Sequence, residues 1–353
     1  PAWVPLSGPP WPGSITMTGR SSGGPAGFGV AAFYYGDVDP DYAGGYSQGI
    51  RGVLDGASEE TRAPDSWGTI AAWAWGLSRV QDYLETDSAV DSHRVAIFGE
   101  RVYVADSFND RIQQFSRSGA YVRKWGGAGQ SNGKLDRPRG LAVDGRGRVY
   151  VADTLNNRVQ VFSGGGIYLF KFGSQGAALG RFAAPWGVAI GRNERIYVAD
   201  TANHRIQAFN RNGKFLFSWG GRGSIDGKFS NPRGIAVDER DRVYVVDGDN
   251  SRIQVFTARG VFLRKWGREG SARGSFRDPR DIAVDGKGRV LVADTGNDRV
   301  QVFTELGQYL GQWSAHDIAP RGFDPMGLAV DSANRVYVAS TGNDRIQVFT
   351  PQA

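Results

Sequence analysis

Six times after residue 100, an aspartate or its replacement is followed at fixed spacing by an asparagine and an arginine. The sets are Asp106/Asn109/Arg111, Asp153/Asn156/Arg158, Asp200/Asn203/Arg205, Asp247/Asn250/Arg252 and Asp294/Asn297/Arg299, with Ser340/Asn343/Arg345 departing at its first member. A carboxylate, an amide and a guanidinium within six residues could hold a metal ion or a phosphate. The same residues also close tight turns, because short Asp and Asn side chains bond back to the local backbone and the Arg then pairs with the Asp at the strand end. Repetition in every copy favours the structural role, since a functional site is seldom copied six times.

Other reactive groups are sparse. There is no cysteine, which excludes disulfides, thiolate metal sites and a cysteine nucleophile. His93, His204 and His316 are the only histidines and stand in unrelated contexts, so no metal and no cofactor is expected. A single G-x-S-x-G run, "GYSQG" at 45–49, lies in a polar loop rather than at a strand-to-helix elbow.

The elements that position these residues repeat. "RVYVADSFNDRIQQF" at Arg101 returns at Arg148, Arg195, Arg242, Arg289 and Arg335, at offsets of 47, 47, 47, 47 and 46. Ahead of five copies stands a Pro-x-Gly-type strand such as "NPRGIAVD", and behind them come segments such as "FLRKWG" and a glycine-rich loop. Four short β-branched and aromatic strands, bounded by Gly, Asn and Asp, fit a propeller blade with a period in the forties. Six units predict a mainly β chain with a six-bladed propeller over 94–353. These signatures resemble the NHL family, a resemblance that implies a propeller fold and leaves function open among protein, RNA and small-ligand binders and a few lyases.

The first hundred residues read differently. They carry 5 basic and 12 acidic residues, net −7, against 37 and 24 in the remainder, net +13. Such asymmetry marks a domain boundary. Residues 27–42 read as a strand and acidic turn. Residues 65–87 read as a helix, with Trp67, Ile70, Ala71, Ala74, Leu77, Val80 and Leu84 at 3–4 spacing behind Ser66 as cap. Residues 92–99 read as a second strand. This predicts an N-terminal α/β fragment over 1–93. "YYGDVDPD" and "WGTIAAWAWGLSRVQDYLETD" resemble the glucuronoyl esterases, a carbohydrate esterase family of α/β-hydrolase fold. In that family the strand "RVAIFG" leads to the serine elbow, whereas here Glu100 and the first repeat follow. No esterase catalytic residue carries over, so the expectation is of a truncated fragment and a chain that is not an enzyme.

At the junction, copy one lacks its Pro-x-Gly strand. Residues 94–99 fill that role, with Gly99-Glu100 as a two-residue turn. Copy six then lacks an outer strand, which 27–35 or a neighbouring chain would supply.

Function is expected where the copies differ. The residue after each Pro varies: Arg139, Trp186, Arg233, Arg280 and Met326. Nearby stand Arg137, Arg181, Lys228, Arg277 and Arg321. Arginines with an exposed Trp at the channel mouth suit an anionic or carbohydrate ligand through bidentate hydrogen bonds and stacking. The expected role is a non-catalytic binding or scaffold propeller for a protein, glycan or other anionic ligand. An ester hydrolase and an RNA binder are the alternatives. No apolar run reaches the length of a membrane span. The chain opens at Pro1 with no visible leader, leaving room for one already removed and leaning the location to extracellular or periplasmic.

Overall fold

The computed structural model describes residues 92–314, 323–343 and 345–349. The expected strand at 27–42, the helix at 65–87, the run at 45–49, His316 and Arg321 lie outside them.

The described residues form six antiparallel sheets, five of four strands and one of three. Each sheet is a blade whose chain runs from the innermost strand outward. Blade one is β1 (Ser92–Phe98), β2 (Arg101–Asp106), β3 (Arg111–Ser116) and β4 (Tyr121–Gly126). The other innermost strands are Pro138–Val143, Pro185–Ile190, Pro232–Val237, Pro279–Val284 and Pro325–Val330, and neighbouring ones touch around a closed ring. Second and third strands such as Val243–Asp247 and Arg252–Phe256 are buried along their whole length. Their sequences accordingly read as nearly continuous apolar runs rather than clean alternation.

Apolar clusters lie between blades. One joins Tyr197 and Ile206 of blade three to Ile235, Val245 and Phe256 of blade four. The ring closes in the same way, with Val95, Val104 and Phe115 of blade one against Ala329, Tyr337 and Ala339 of blade six. Blade six has three described strands, ending at Arg345–Phe349. The segment 27–35, expected as its fourth, lies outside the described residues.

The strand "RVAIFG" is the innermost strand of blade one. Val95, Ala96 and Ile97 pair with Val104, Tyr103 and Val102, and Phe98 faces Arg101 across a two-residue turn with Gly99 at φ +57°. Positive φ at the first turn position is what a glycine supplies without strain.

One rung of the ring explains a repeated glycine. Gly140, Gly187, Gly234 and Gly327 occupy equivalent places, and a Cβ on Gly140 would lie 2.2 Å from the Trp186 carbonyl oxygen. On Gly187 it would lie 2.3 Å from the Arg233 carbonyl oxygen. Innermost strands approach too closely there for a side chain. Two blades differ: Arg94 and Asp281 stand on this rung, facing Ala105 and Ala293 as Gly327 faces Ala339. They form a buried ion pair that crosses the channel.

Candidate functional site

The loops that end at the channel mouth are strapped down by the Asp-Asn-Arg sets. In blade two Asp153 accepts the Asp136 N–H at 2.7 Å and pairs with Arg158 Nε at 2.7 Å. Asn156 donates to Asp153 and to the Gly129 carbonyl. Arg158 also donates to the carbonyls of Gln130, Ser131 and Lys134. The arrangement returns at Asp200, Asp247 and Asp294. Burial pushes the carboxyls of Asp153, Asp200 and Asp247 up, while their N–H, Asn and Arg partners pull the other way. Among the described residues no cluster of His, Asp and Glu could hold a metal ion, and the sets have a structural role.

One member of the strap escaped the sequence reading. The Gln two residues after Arg158, Arg205, Arg252 and Arg299 is buried in the same network. Gln160 donates to Asp153 and the Lys134 carbonyl and accepts the Gly133 N–H. Gln207, Gln254 and Gln301 do the same. Its period of 47 was visible, but in a strand position an amide reads as a solvent-facing residue.

Each strapped loop turns sharply into the ring. The residue before Pro adopts positive φ in four blades: Arg137 at 47°, Ala184 at 47°, Asn231 at 49° and Asp278 at 46°. Its N–H is held by the turn of the preceding blade, through Asp110 for Arg137, Asn157 for Ala184 and His204 Nδ1 for Asn231. His204 is therefore a blade-to-blade link. The kink sets the residue after Pro at the rim of the channel.

There the blades differ, and four of the singled-out residues come together. The Arg139 guanidinium lies over the Trp186 ring at 3.9 Å, with Arg233 at 5.7 Å and Arg280 at 5.9 Å from the same ring. Arg233 pairs with Asp249 at 3.1 Å and with Asp278, and Arg280 pairs with Asp278 at 2.8 Å. Burial opposes ionisation of Asp278, but Arg233 and Arg280 hold its carboxyl below the usual range. The indole thus serves as a platform for Arg139, which corrects the picture of an exposed stacking face.

The remaining predicted residues stand apart. Met326 shares the rung but is buried. Arg137 reaches outward over the Phe108 ring at 4.8 Å. Arg277 sits on the rim against Gly296, its N–H given to Asp294. Lys228 turns back to the Gly220 carbonyl. Arg181 is exposed, with its carbonyl taken by Arg205 and Gln207. A sixth rim position escaped the sequence reading. Ser92 pairs with Asp106 as Pro138 does with Asp153, so His93 occupies in register the place of Arg139. The two-residue turn at Gly99 is one residue shorter than its counterparts, which shifts the count from the repeat and hid this match.

The NHL repeat family matches residues 135–162, 182–209, 229–256 and 276–303. Each match runs from the buried residue that ends the glycine-rich loop (Leu135, Phe182, Phe229 or Phe276) to the last residue of a third strand. Four of the six blades, two to five, carry NHL repeats. The propeller's likeness to solved structures lies in shape. A streptogramin B lyase shares 14% identity at TM-score 0.57, covering 78% of this chain and 88% of the lyase. A gluconolactonase from Xanthomonas campestris shares 18% at TM-score 0.58, covering 75% and 88%. In the N-terminal part, the carbohydrate esterase MZ0003 from an unknown prokaryotic organism is 45% identical over 73 residues, 21% of this chain. The match spans about a sixth of that esterase, 17% of its length.

These likenesses correct one expectation. The chain was expected not to be an enzyme because the serine elbow is missing. That absence bears on a single chemistry, and the propeller shares its fold with a lyase and a lactonase. Catalysis is within the reach of such a scaffold, and a missing elbow is no ground for excluding it.

Proposed function

We propose that the NHL propeller binds an anionic carbohydrate, a sugar acid or a glycan ending in one, at its channel mouth. The observation that carries this reading is the gathering of three guanidinium groups from blades two, four and five around Trp186. A carboxylate accepts paired hydrogen bonds from a guanidinium fork, and the rim gathers three guanidinium groups on ordered strands, two of them shared with Asp278. Asp249 and Asp278 lie among them, pair with Arg233 and Arg280, and yield part of those contacts to the ligand's carboxylate. The N-terminal match to a carbohydrate esterase supports a sugar over other anions.

Titration calorimetry of the full chain with D-glucuronate, D-galacturonate and neutral glucose tests the reading. Uronate binding that weakens with salt and falls at least roughly tenfold in Arg280→Ala, the loss of one charged hydrogen bond, is the expected result. Equal binding of glucose, or no binding of either acid, would sink it. An RNA oligonucleotide bound with a steep salt slope while the acids are ignored would place the protein among nucleic-acid binders instead. Chromatography of the same mixtures reads whether a bound sugar is turned over.

A further inference from the structure

We propose that the acidic N-terminal segment, residues 1–91, docks on the mouth face of its own propeller, over Phe108, Leu155 and Arg137. This goes beyond the carbohydrate reading and does not depend on it.

The direction of β1 is the first argument. Every innermost strand starts at the mouth, and β1 starts there too, with Ser92 on the rung that the rim prolines occupy elsewhere. The chain before Ser92 therefore leaves the propeller at the mouth, at blade one, between blades six and two. The strand that tethers it is fixed, because Val95 lies in the closing cluster and Arg94 is paired across the channel with Asp281.

Charge is the second. Residues 1–91 hold eleven acidic residues against four arginines and no lysine, while residues 101–353 carry a net +13. Arg137 and Arg277 on the rim are exposed, and Arg139, Arg233 and Arg280 stand just inside it. A tethered partner meets this surface at high effective concentration, so weak contacts suffice.

The third is the placement of apolar surface. The second residue after the turn aspartate is Phe108 in blade one and Leu155 in blade two, 58% and 49% exposed. In the other four blades it is Ala202, Asp249, Gly296 and Gly342. At this turn position large apolar side chains stand only in blades one and two, while Leu179 and Ile225 are exposed on the glycine-rich loops after blades two and three. Phe108 and Leu155 are joined into one shelf: Arg137 covers the Phe108 ring, and the Leu155 N–H bonds to the carbonyl of Asp136. A piece matching 17% of an esterase lacks most of the surface it would be packed against. About ninety residues by themselves bury a smaller share of their surface than a larger domain does, so a segment of this length gains from an outside face.

The chain has no cysteine, which permits a direct test in the full-length protein. Phe108→Cys and Leu155→Cys are each labelled with a benzophenone maleimide, irradiated and digested for mass spectrometry. Leu263→Cys, on the outer strand Phe262–Trp266 of blade four and 40% exposed, is the control. Adducts to peptides of 1–91 within monomer-sized protein, from 108 and 155 and at least roughly tenfold weaker from 263, are expected for a tethered contact. No adduct to 1–91, equal yields from all three positions, or adducts only in dimer-sized protein would each overturn the proposal. The last would mean that a second copy covers the shelf. Since all three side chains are exposed, unchanged melting curves show that folding is not the cause.

Discussion

Arg94 of blade one and Asp281 of blade five form a buried ion pair across the propeller channel, and Arg94 Nη1 also reaches the Val188 carbonyl of blade three at 3.5 Å. Asp281 in turn accepts the Leu328 N–H of blade six at 2.8 Å. One pair therefore ties four blades together where the neighbouring blades have only glycine. Replacing Arg94 by Met leaves a buried carboxylate without its counter-charge, a change that costs about 3–5 kcal/mol. Urea unfolding should show that loss, and adding Asp281→Asn should restore part of it. A loss within about 0.5 kcal/mol, as at an ordinary surface site, would mean that the pair does not hold the ring.

The same aspartate gives a pH signature. Burial pushes the Asp281 carboxyl up to about 6 against the pull of Arg94 and the N–H groups of Leu328 and Ile282. Unfolding returns it to its ordinary 3.8, so between these values the folded chain binds the extra proton. Its contribution to stability then falls as pH rises from about 4 to about 6 and is level above that window. The stability of the wild type minus that of Asp281→Asn isolates the effect, because the raised carboxyls of Asp153, Asp200 and Asp247 act in both proteins. A flat difference, or one that rises with pH, would contradict the assignment.

The glycine rung predicts a contrast between two substitutions only five residues apart. In Gly140→Ala the new methyl meets the Trp186 carbonyl oxygen, a backbone atom that cannot rotate away, and Gly145→Ala projects into open space. Overpacking of the first kind costs about 1–3 kcal/mol or more, whereas an exposed surface change stays within about 0.5 kcal/mol. Thermal unfolding of the two variants side by side should separate them. Equal melting temperatures would show that the inner strands can spread.

The blades were legible because their signals are local and repeated. The 47-residue period, the turn sets and the switch to β-branched strands all fall within one unit, and the structure adds the Gln that completes the strap in blades two to five. The tight turn at Gly99 was legible for the same reason, since two residues cannot carry a chain far and β1 had to pair with β2. What joins distant blades was not legible. Arg94 and Asp281 lie 187 residues apart, and no spacing links them. The stacking of Arg139 on Trp186 was hidden too, because two adjacent rim positions were read as separate contacts for a ligand. His93 was missed through one residue of turn length.

Asp278 offers the sharpest test of the mouth. It neutralises Arg233 and Arg280 together, so it competes with any anion those arginines would bind. Asp278→Asn keeps the side-chain shape and removes the competing charge. Uronate affinity should then rise roughly two- to fivefold, on the scale of a partly exposed charge pair of about 0.2–1 kcal/mol, since Asp278 is 36% exposed. Asp249→Asn, whose carboxylate pairs with Arg233 but not with Arg280, should give the smaller gain. The increase should shrink as salt is added, because screening weakens the lost repulsion and the new attraction alike. Weaker uronate binding in Asp278→Asn would mean that this carboxylate receives the sugar hydroxyls itself, and the guanidinium groups would then be its supports.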